Sequence, residues 1–554
     1  MLRTPKPLIT KQSRTAGGIP TLAIPSRLTG KVIEVPASSV AALRCMRKPD
    51  KPRILWIDAI RIDQSDLKER GHQASVMSNI YRFSQQNLVY LGEDSEESGM
   101  AFDSIGGIEK EIEQKMHGFS NFLENMAQQF TDGNILHEPI ECEFDEDAIT
   151  AVFQRAWFKR LWVVQEAALA PSNICFCGSQ PLINLQSLLY AALWLYLHES
   201  LSSGSSSFHP SIKPAIFFAI ILLGHKATST GLTISLSVKS TRVLLTSEPK
   251  DRIFAIVGLC RTIGHSGKYL EASLIATDYS KSLKDILRDA TRFAIQKEGG
   301  LDVLDQVSHA GELNQGNFPS WFLRLDTPFD YDREAMVLAN HQFRADNKKS
   351  VHSYMTGSSY GGAEALFLAG YQFARISWVS EILTEHKGQQ YRNGVRKWLG
   401  SIINNYYAGE DEPRYTAFPL PLALALMAFT NRRLRSPSGD ELTEFQALLD
   451  GLLNNDSLDG CDSQWLNLFF DTCRNRRFFY GTGGYFGLAP QCTKFNDRGY
   501  LLFGSKVPFV LRPMSTDDAS TFQLVGHAYV SGVMEGQIVE AREAGVEPEV
   551  VKLI

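Results

Sequence analysis

The sequence contains no apolar run long enough to cross a bilayer. Its most apolar stretches, residues 214–223 and 418–429, fall well short of the ~20 residues a membrane helix needs and read as core helices. The N-terminus, MLRTPKPLITKQSRT, is basic but has no apolar centre, so it reads as a disordered leader rather than a secretory signal. Cysteine is sparse. Eight thiols at 45, 142, 175, 177, 260, 461, 473 and 492 are too unevenly spaced for a disulfide framework, which points to a reducing compartment and a cytoplasmic location. Neither sign of charge dominates, and a net charge of -5 leaves no electrostatic footprint for nucleic acid or an anionic membrane. No internal repeat is present. No histidine stands in an H-E-x-x-H pattern, and the pair Cys175 and Cys177 has no matching second pair, so no metal site is expected. Gly481-Thr482-Gly483-Gly484 fails as a dinucleotide fingerprint because Phe486 occupies the place of the third glycine. The letters of G-x-S-x-G at residues 357–361 lack the apolar strand that a hydrolase elbow requires before them, and read as a loop.

What is present begins with ordinary globular material. A chain of 554 residues with 44% hydrophobic and 21% charged residues can bury a real core in several domains. Its organising stretch is residues 53–93. Ile54-Leu55-Trp56-Ile57, closed by Asp58, has the pattern of a strand buried on both faces whose carboxyl end meets a polar crevice. Asp66 and Glu69 form a helix start signal, and Val76, Met77, Ile80, Tyr81 and Phe83 place an apolar stripe at helical spacing. Leu88-Val89-Tyr90-Leu91 then reads as a second strand, stopped by Gly92.

This stretch is answered by AWFKRLWVVQEAALA at residues 156–170. On a helix, Phe158, Trp162 and Glu166 would share one face. A carboxylate among aromatics must reach a cation, hold a ligand, or have its pKa raised by desolvation. A structural ion pair of Glu166 with Arg61 or Arg70 is the competing expectation. Between the two stretches, the acidic segments EDSEES and ECEFDED flank a helical insertion that reads as a solvated excursion.

Four motifs in order resemble the signatures of fungal heterokaryon-incompatibility (HET) domain proteins, approximately LWIDALCINQ, ER..Q...M..IY, WLG and RPWF.RVWVVQE. Here they stand as Leu55 to Gln64, Glu69 to Tyr81, Tyr90-Leu91-Gly92, and Arg155 through Glu166. The resemblance continues in PKDRIFAIVGL at residues 249–259, in Asp278-Tyr279-Ser280-Lys281, in Phe318-Pro319-Ser320-Trp321, and in a closing set of short apolar strands. The usual opening strand, similar to YxALSYVWG, has no counterpart in residues 1–30. The charges of Lys250, Asp251 and Arg252 are expected to form an interdomain ion pair or touch a partner. A more distant resemblance joins Trp162 through Glu166 to Toll/interleukin-receptor (TIR) domains, whose sheet is doubly wound and flavodoxin-like.

The resemblance implies an α/β chain. Residues 1–30 are a disordered leader or the remnant of a first strand; 31–180 form a TIR-like HET domain; 181–310 are helical; and 311–554 are mixed, with a small β module at about 480–540. It implies a role in fungal non-self recognition and cell-death signalling through protein interaction, with other incompatibility proteins or self-association as partners. An alternative is a TIR-like hydrolase that cleaves NAD as substrate. Its catalytic residues would be Glu166 and Asp58, within a crevice or motif set of Trp56, Asp63, Gln64, Arg70, Trp157, Trp162 and Gln165. A third reading is a degenerate family member recruited to another fungal pathway. No resident cofactor is required by any of the three.

Overall fold

A computed structural model describes residues 8–11, 23–28, 31–48, 50–117, 143–202, 232–260, 275–307, 318–325, 343–349, 365–383, 389–407, 439–454, 472–514, 520–543 and 545–554, with isolated positions between them. The G-x-S-x-G letters at 357–361 lie outside the described residues. The chain divides into two compact units, Met1–Ile286 and Leu287–Ile554. Among the described residues no helix is long and apolar enough to cross a membrane.

The first unit is built on a five-stranded sheet. Its strands are β1 (Leu8–Lys11), β4 (Leu55–Trp56), β5 (Asn87–Gly92), β6 (Asn173–Cys177) and β7 (Ile183–Asn184), in spatial order β4-β1-β5-β6-β7. The first four run parallel, and β7 closes the sheet antiparallel to β6. An opening strand is therefore present. It carries the sequence LITK, with none of the aromatic signature of the resemblance, and it sits between β4 and β5. A hairpin of β2 (Ala23–Leu28) and β3 (Lys31–Pro36) follows and leads into α1 (Ala37–Met46). Ala42 and Met46 of α1 bury themselves against Leu88, Tyr90 and Phe176 of β5 and β6.

The strand expected to be buried on both faces is instead the two-residue edge strand β4. Leu55 and Trp56 are half-buried and Ile54 is 59% exposed, because among the described residues no strand pairs on its outer side. After it come the short α2 (Asp58–Arg61) and the long α3 (Leu67–Arg82). Asp66 caps α3, accepting from the backbone N–H of Lys68 at 2.8 Å and of Glu69 at 3.1 Å. Its buried face is Gly71, Ala74, Met77, Ser78 and Tyr81, whereas Phe83, expected in the apolar stripe, lies past the end of the helix and is exposed.

Past β5 the chain forms α4 (Glu96–Met116) and α5 (Glu146–Phe153). Arg155 then donates to the carbonyls of Leu91 and Glu93, at 3.1 and 2.8 Å, and to the Ser98 hydroxyl at 2.7 Å, fastening the carboxyl end of β5. The answering stretch is not one helix. A 3-10 turn (Ala156–Lys159) is followed by an extended Arg160, and only then by α6 (Trp162–Leu169), so Phe158 does not share a helix face with Trp162 and Glu166. Helices α7 (Leu185–Ser202), α8 (Ile234–Thr241) and α9 (Asp251–Val257) follow within this unit.

The second unit is a β structure larger than the module expected at 480–540. It starts with the fourteen-residue β8 (Leu366–Val379) and ends with β15 (Glu549–Leu553). Between them run β9 (Arg476–Gly481), β10 (Phe486–Pro490), β11 (Arg498–Leu502), β12 (Phe509–Pro513), β13 (Thr521–His527) and β14 (Tyr529–Val530). Successive pairings β8-β11-β12-β13-β15-β8 close on themselves, while β9, β10 and β14 extend the sheet from the far half of β8. Closure removes the exposed edges that would template aggregation. One core of this unit holds Phe373, Ile376, Phe503, Val510 and Val525. A second packs β9 and β10 against α11 (Gln389–Tyr406) and α12 (Gly439–Asn454) through Trp398, Phe445 and Phe478; α10 (Leu283–Glu298) lies at the division between the units.

Candidate functional site

A cavity of about 370 Å³ opens in the first unit where α3, the start of α6 and the segment before α9 converge. Each wall has a local reason. The turn after β4 brings Asp58, Ile62 and Gln64, and α3 brings Arg70, Ala74 and Met77. The extended link before α6 brings Arg160, Leu161 and Trp162. Residues 245–248 cross this link as a short parallel bridge: the Leu161 amide donates to the Leu245 carbonyl at 3.0 Å, and the Leu245 amide donates to the Lys159 carbonyl at 2.6 Å. That bridge delivers Thr246, Ser247, Glu248 and Asp251 to the cavity rim.

Asp251 is the nexus of this site. Its carboxylate accepts the Trp162 indole N–H at 2.9 Å and the Tyr279 hydroxyl at 2.5 Å, and pairs with the Arg70 guanidinium at 3.5 Å. The guanidinium also lies 3.9 Å over the Tyr279 ring and 4.0 Å from the Glu248 carboxylate. Burial raises the Asp251 pKa above the usual carboxylate value; Tyr279, Trp162 and Arg70 oppose the rise, and Glu248 adds to it. The Tyr279 phenol is pushed well up by burial and by the Asp251 charge. Lys250 donates to the Tyr279 carbonyl at 2.8 Å and Thr277 donates to the Gly71 carbonyl at 2.9 Å, so the segment carrying Tyr279 is fastened at both ends. The expected interdomain ion pair is thus Asp251 with Arg70, which joins the stretches read as 31–180 and 181–310 inside one compact unit.

Behind the cavity lies a buried polar cluster. Tyr81 is fully buried, with Trp56 packed edge-on at 6.1 Å. Its phenol is driven well up, first by burial, then by the Glu166 and Asp58 carboxylates, against the opposing pull of Arg160. Glu166 itself is 0% exposed and does not line the cavity. Arg70, one of its two expected partners, turns to Asp251 and Glu248, and Arg61, the other, is exposed. The basic residue within this cluster is Arg160.

The remaining expected site residues divide clearly. Asp58, Gln64, Arg70 and Trp162 line the cavity. Trp157 is a core residue, edge-on to Phe158 at 5.1 Å and Phe218 at 5.5 Å. Gln165 is buried: with its amide nitrogen donating to the Ala255 carbonyl and its oxygen accepting from the Ser78 amide, both at 3.0 Å, it ties α6 to α9 and α3. Asp63 is exposed and shapes the turn before α3, accepting from the Ser65 amide at 2.9 Å and hydroxyl at 2.6 Å, which lowers its pKa. Trp56 is half-buried against Tyr81. Sequence reasoning missed Arg160, Glu248, Asp251 and Tyr279 as site residues. The available signal was the pair of later motifs, PKDRIFAIVGL and DYSK, which return to the first motif set in space. Among the described residues, no group of three or more His, Cys, Asp or Glu side chains is arranged to hold a metal ion.

The sequence matches the family described as heterokaryon incompatibility protein (HET) over residues 12–166, and the Het-6 beta-barrel domain over residues 446–545. Along most of its length it is similar to heterokaryon incompatibility protein 6, OR allele, of Neurospora crassa. The two are 21% identical over 576 aligned positions, which cover 90% of this chain and 83% of that protein. No solved structure matches.

Proposed function

We propose that this chain, a member of the heterokaryon incompatibility family by its HET domain and its Het-6 beta-barrel domain, acts in fungal non-self recognition and cell-death signalling through protein interaction. One observation carries the preference for interaction over catalysis. Glu166, the carboxylate on which NAD cleavage would depend, is wholly buried and is not among the residues that line the cavity. A carboxylate with no exposed surface is out of reach of a dinucleotide unless the site opens. The working partners are other incompatibility proteins or a second copy of the chain, and the working location is the cytoplasm.

The test is expression in a fungal host with affinity capture and size analysis of the purified chain. A partner or a self-associated form is the expected result; a monomer without partner and without effect on cell viability would sink the reading.

NAD cleavage is kept as a second reading because Asp58, just past the carboxyl end of β4, opens onto a cavity beside the Glu166 cluster. The strand order β4-β1-β5-β6 is the 2-1-3-4 order of a flavodoxin-like, TIR-like sheet and supports the same idea. Purified protein and Glu166→Ala are incubated with NAD while free nicotinamide is followed. Interaction alone predicts equal background release from both. Turnover that is lost in a folded Glu166→Ala would reverse the preference.

A further inference from the structure

We propose that the cavity between α3, α6 and the segment leading into α9 is a binding site for a small zwitterion of the amino-acid class. Its volume, about 370 Å³, lies at the lower end of the ~300–1,000 Å³ typical of small-molecule sites, which favours a compact ligand over a dinucleotide. Its walls carry both signs of charge. Arg70 and Arg160 stand among them with Asp58, Glu248 and Asp251, and Thr246 and Ser247 add hydroxyls at the rim.

The disposition of these charges selects the ligand. Asp251 is engaged by Trp162, Tyr279 and Arg70 and serves the wall itself. Arg70 is different. Its ion-pair distances are 3.5 and 4.0 Å, longer than the ~2.7–2.9 Å of a charge-assisted hydrogen bond, and one of its five N–H groups is used on Tyr279, so its planar fork keeps other donors to offer to a ligand carboxylate. Its position over the Tyr279 ring fixes the plane of that fork. A second negative charge on the ligand would meet Glu248 and Asp58, so a dianion is disfavoured. An ammonium group would instead be attracted by these carboxylates. Opposite charges on one small molecule, separated by a few bonds, answer both requirements. The site would work whether or not the HET domain also binds a protein.

The experiment is thermal unfolding of the purified full chain, with Trp fluorescence as a second readout, against each of the twenty common L-amino acids. Acetate and ethylammonium are the single-charge controls. At least one amino acid should raise Tm saturably, because a ligand that binds only the folded state stabilises it by mass action, at concentrations where acetate and ethylammonium do nothing. Arg70→Gln should weaken that binding by roughly tenfold to a hundredfold, the loss of a hydrogen bond to a charged group. Since Arg70→Gln also loses its contact to Asp251, a variant at the exposed rim, Ser247→Trp, supplies the independent test: it should fold normally and block the ligand. Absence of a saturable effect from all twenty would overturn the proposal. So would binding unchanged in Ser247→Trp, or acetate alone reproducing the effect. Partner capture in the fungal host reads the interaction function separately, so either can fail without the other.

Discussion

Two buried titratable residues, one in each unit, set opposite responses to acid. Asp251 accepts from Trp162 and Tyr279 and pairs with Arg70. Asp251→Asn removes the charge on which two donors and the Arg70 guanidinium converge, and presents an amide N–H₂ to them instead. We expect a loss of about 2–3 kcal/mol, measured by urea unfolding at pH 7. The pH dependence has a definite sign. Burial raises the folded-state pKa above the ordinary 3.8, so the folded chain holds this proton more tightly than the unfolded chain does. The advantage of the wild type over Asp251→Asn should therefore grow as pH falls through the raised value, and shrink above it. His309 behaves in the reverse sense. It is buried against the Leu524 carbonyl at 2.9 Å, and desolvation lowers its pKa from 6.5 to about 4. The unfolded chain takes up this proton first, so stability of the second unit should be lost as pH falls from about 6.5 to about 4, by roughly 3 kcal/mol in all. Urea titrations at pH 7 and pH 5 would show it, and His309→Gln should flatten the difference.

At the scale of elements, α3 works through its absent side chain as much as through the ones it has. A Cβ at Gly71 would meet the Thr277 carbonyl oxygen at 2.5 Å, a backbone atom that cannot swing aside. In an exposed helix interior glycine-to-alanine stabilises by ~1 kcal/mol; here the same change should destabilise by about 1–3 kcal/mol. It should also raise protease cleavage within residues 275–281, because it pushes that segment off α3. Gly258, just after α9, is the partner case: an added Cβ would strike the Gln165 amide at 2.5 Å, breaking the tie among α3, α6 and α9. Helix α6 itself explains why its motif is rich in aliphatics. Val163, Val164, Gln165, Glu166 and Ala167 are all buried, so every face of this short helix has a neighbour.

For the molecule as a whole, the match to the HET domain ends at residue 166, but the packing does not. Helix α9 buries Ile253, Phe254, Ala255 and Ile256 completely, and the Asp251 and Gln165 bonds reach it from α3 and α6. A fragment cut at 180 would expose that apolar face, whereas 1–286 retains it. We expect residues 1–286 to express as a soluble, cooperatively unfolding unit and 1–180 to aggregate, read by size-exclusion chromatography and thermal melts. Cooperative, soluble behaviour of 1–180 would show that α9 is dispensable.

The sequence by itself determined the local pieces of this protein, because their causes are local. The cap at Asp66, the helix it starts and the apolar core of β5 follow from propensity, capping chemistry and short-range patterning. Ordered motifs also sufficed to point to the HET domain that residues 12–166 match. What it misjudged depended on partners distant in the chain. The opening strand was overlooked because LITK lacks the expected aromatics, yet a central strand position needs only a neighbour on each side, which β4 and β5 provide. Burial of β4 was overestimated because an apolar run reads alike at the centre and the edge of a sheet. The β unit was underestimated because its closure requires β8, more than a hundred residues before the strands it pairs with. Only the tertiary structure decided the site. Periodicity put Glu166 on a face, but its fate depends on what packs there, and the cavity belongs instead to Arg70, Trp162 and Asp251, which the fold collects from three separate stretches of chain.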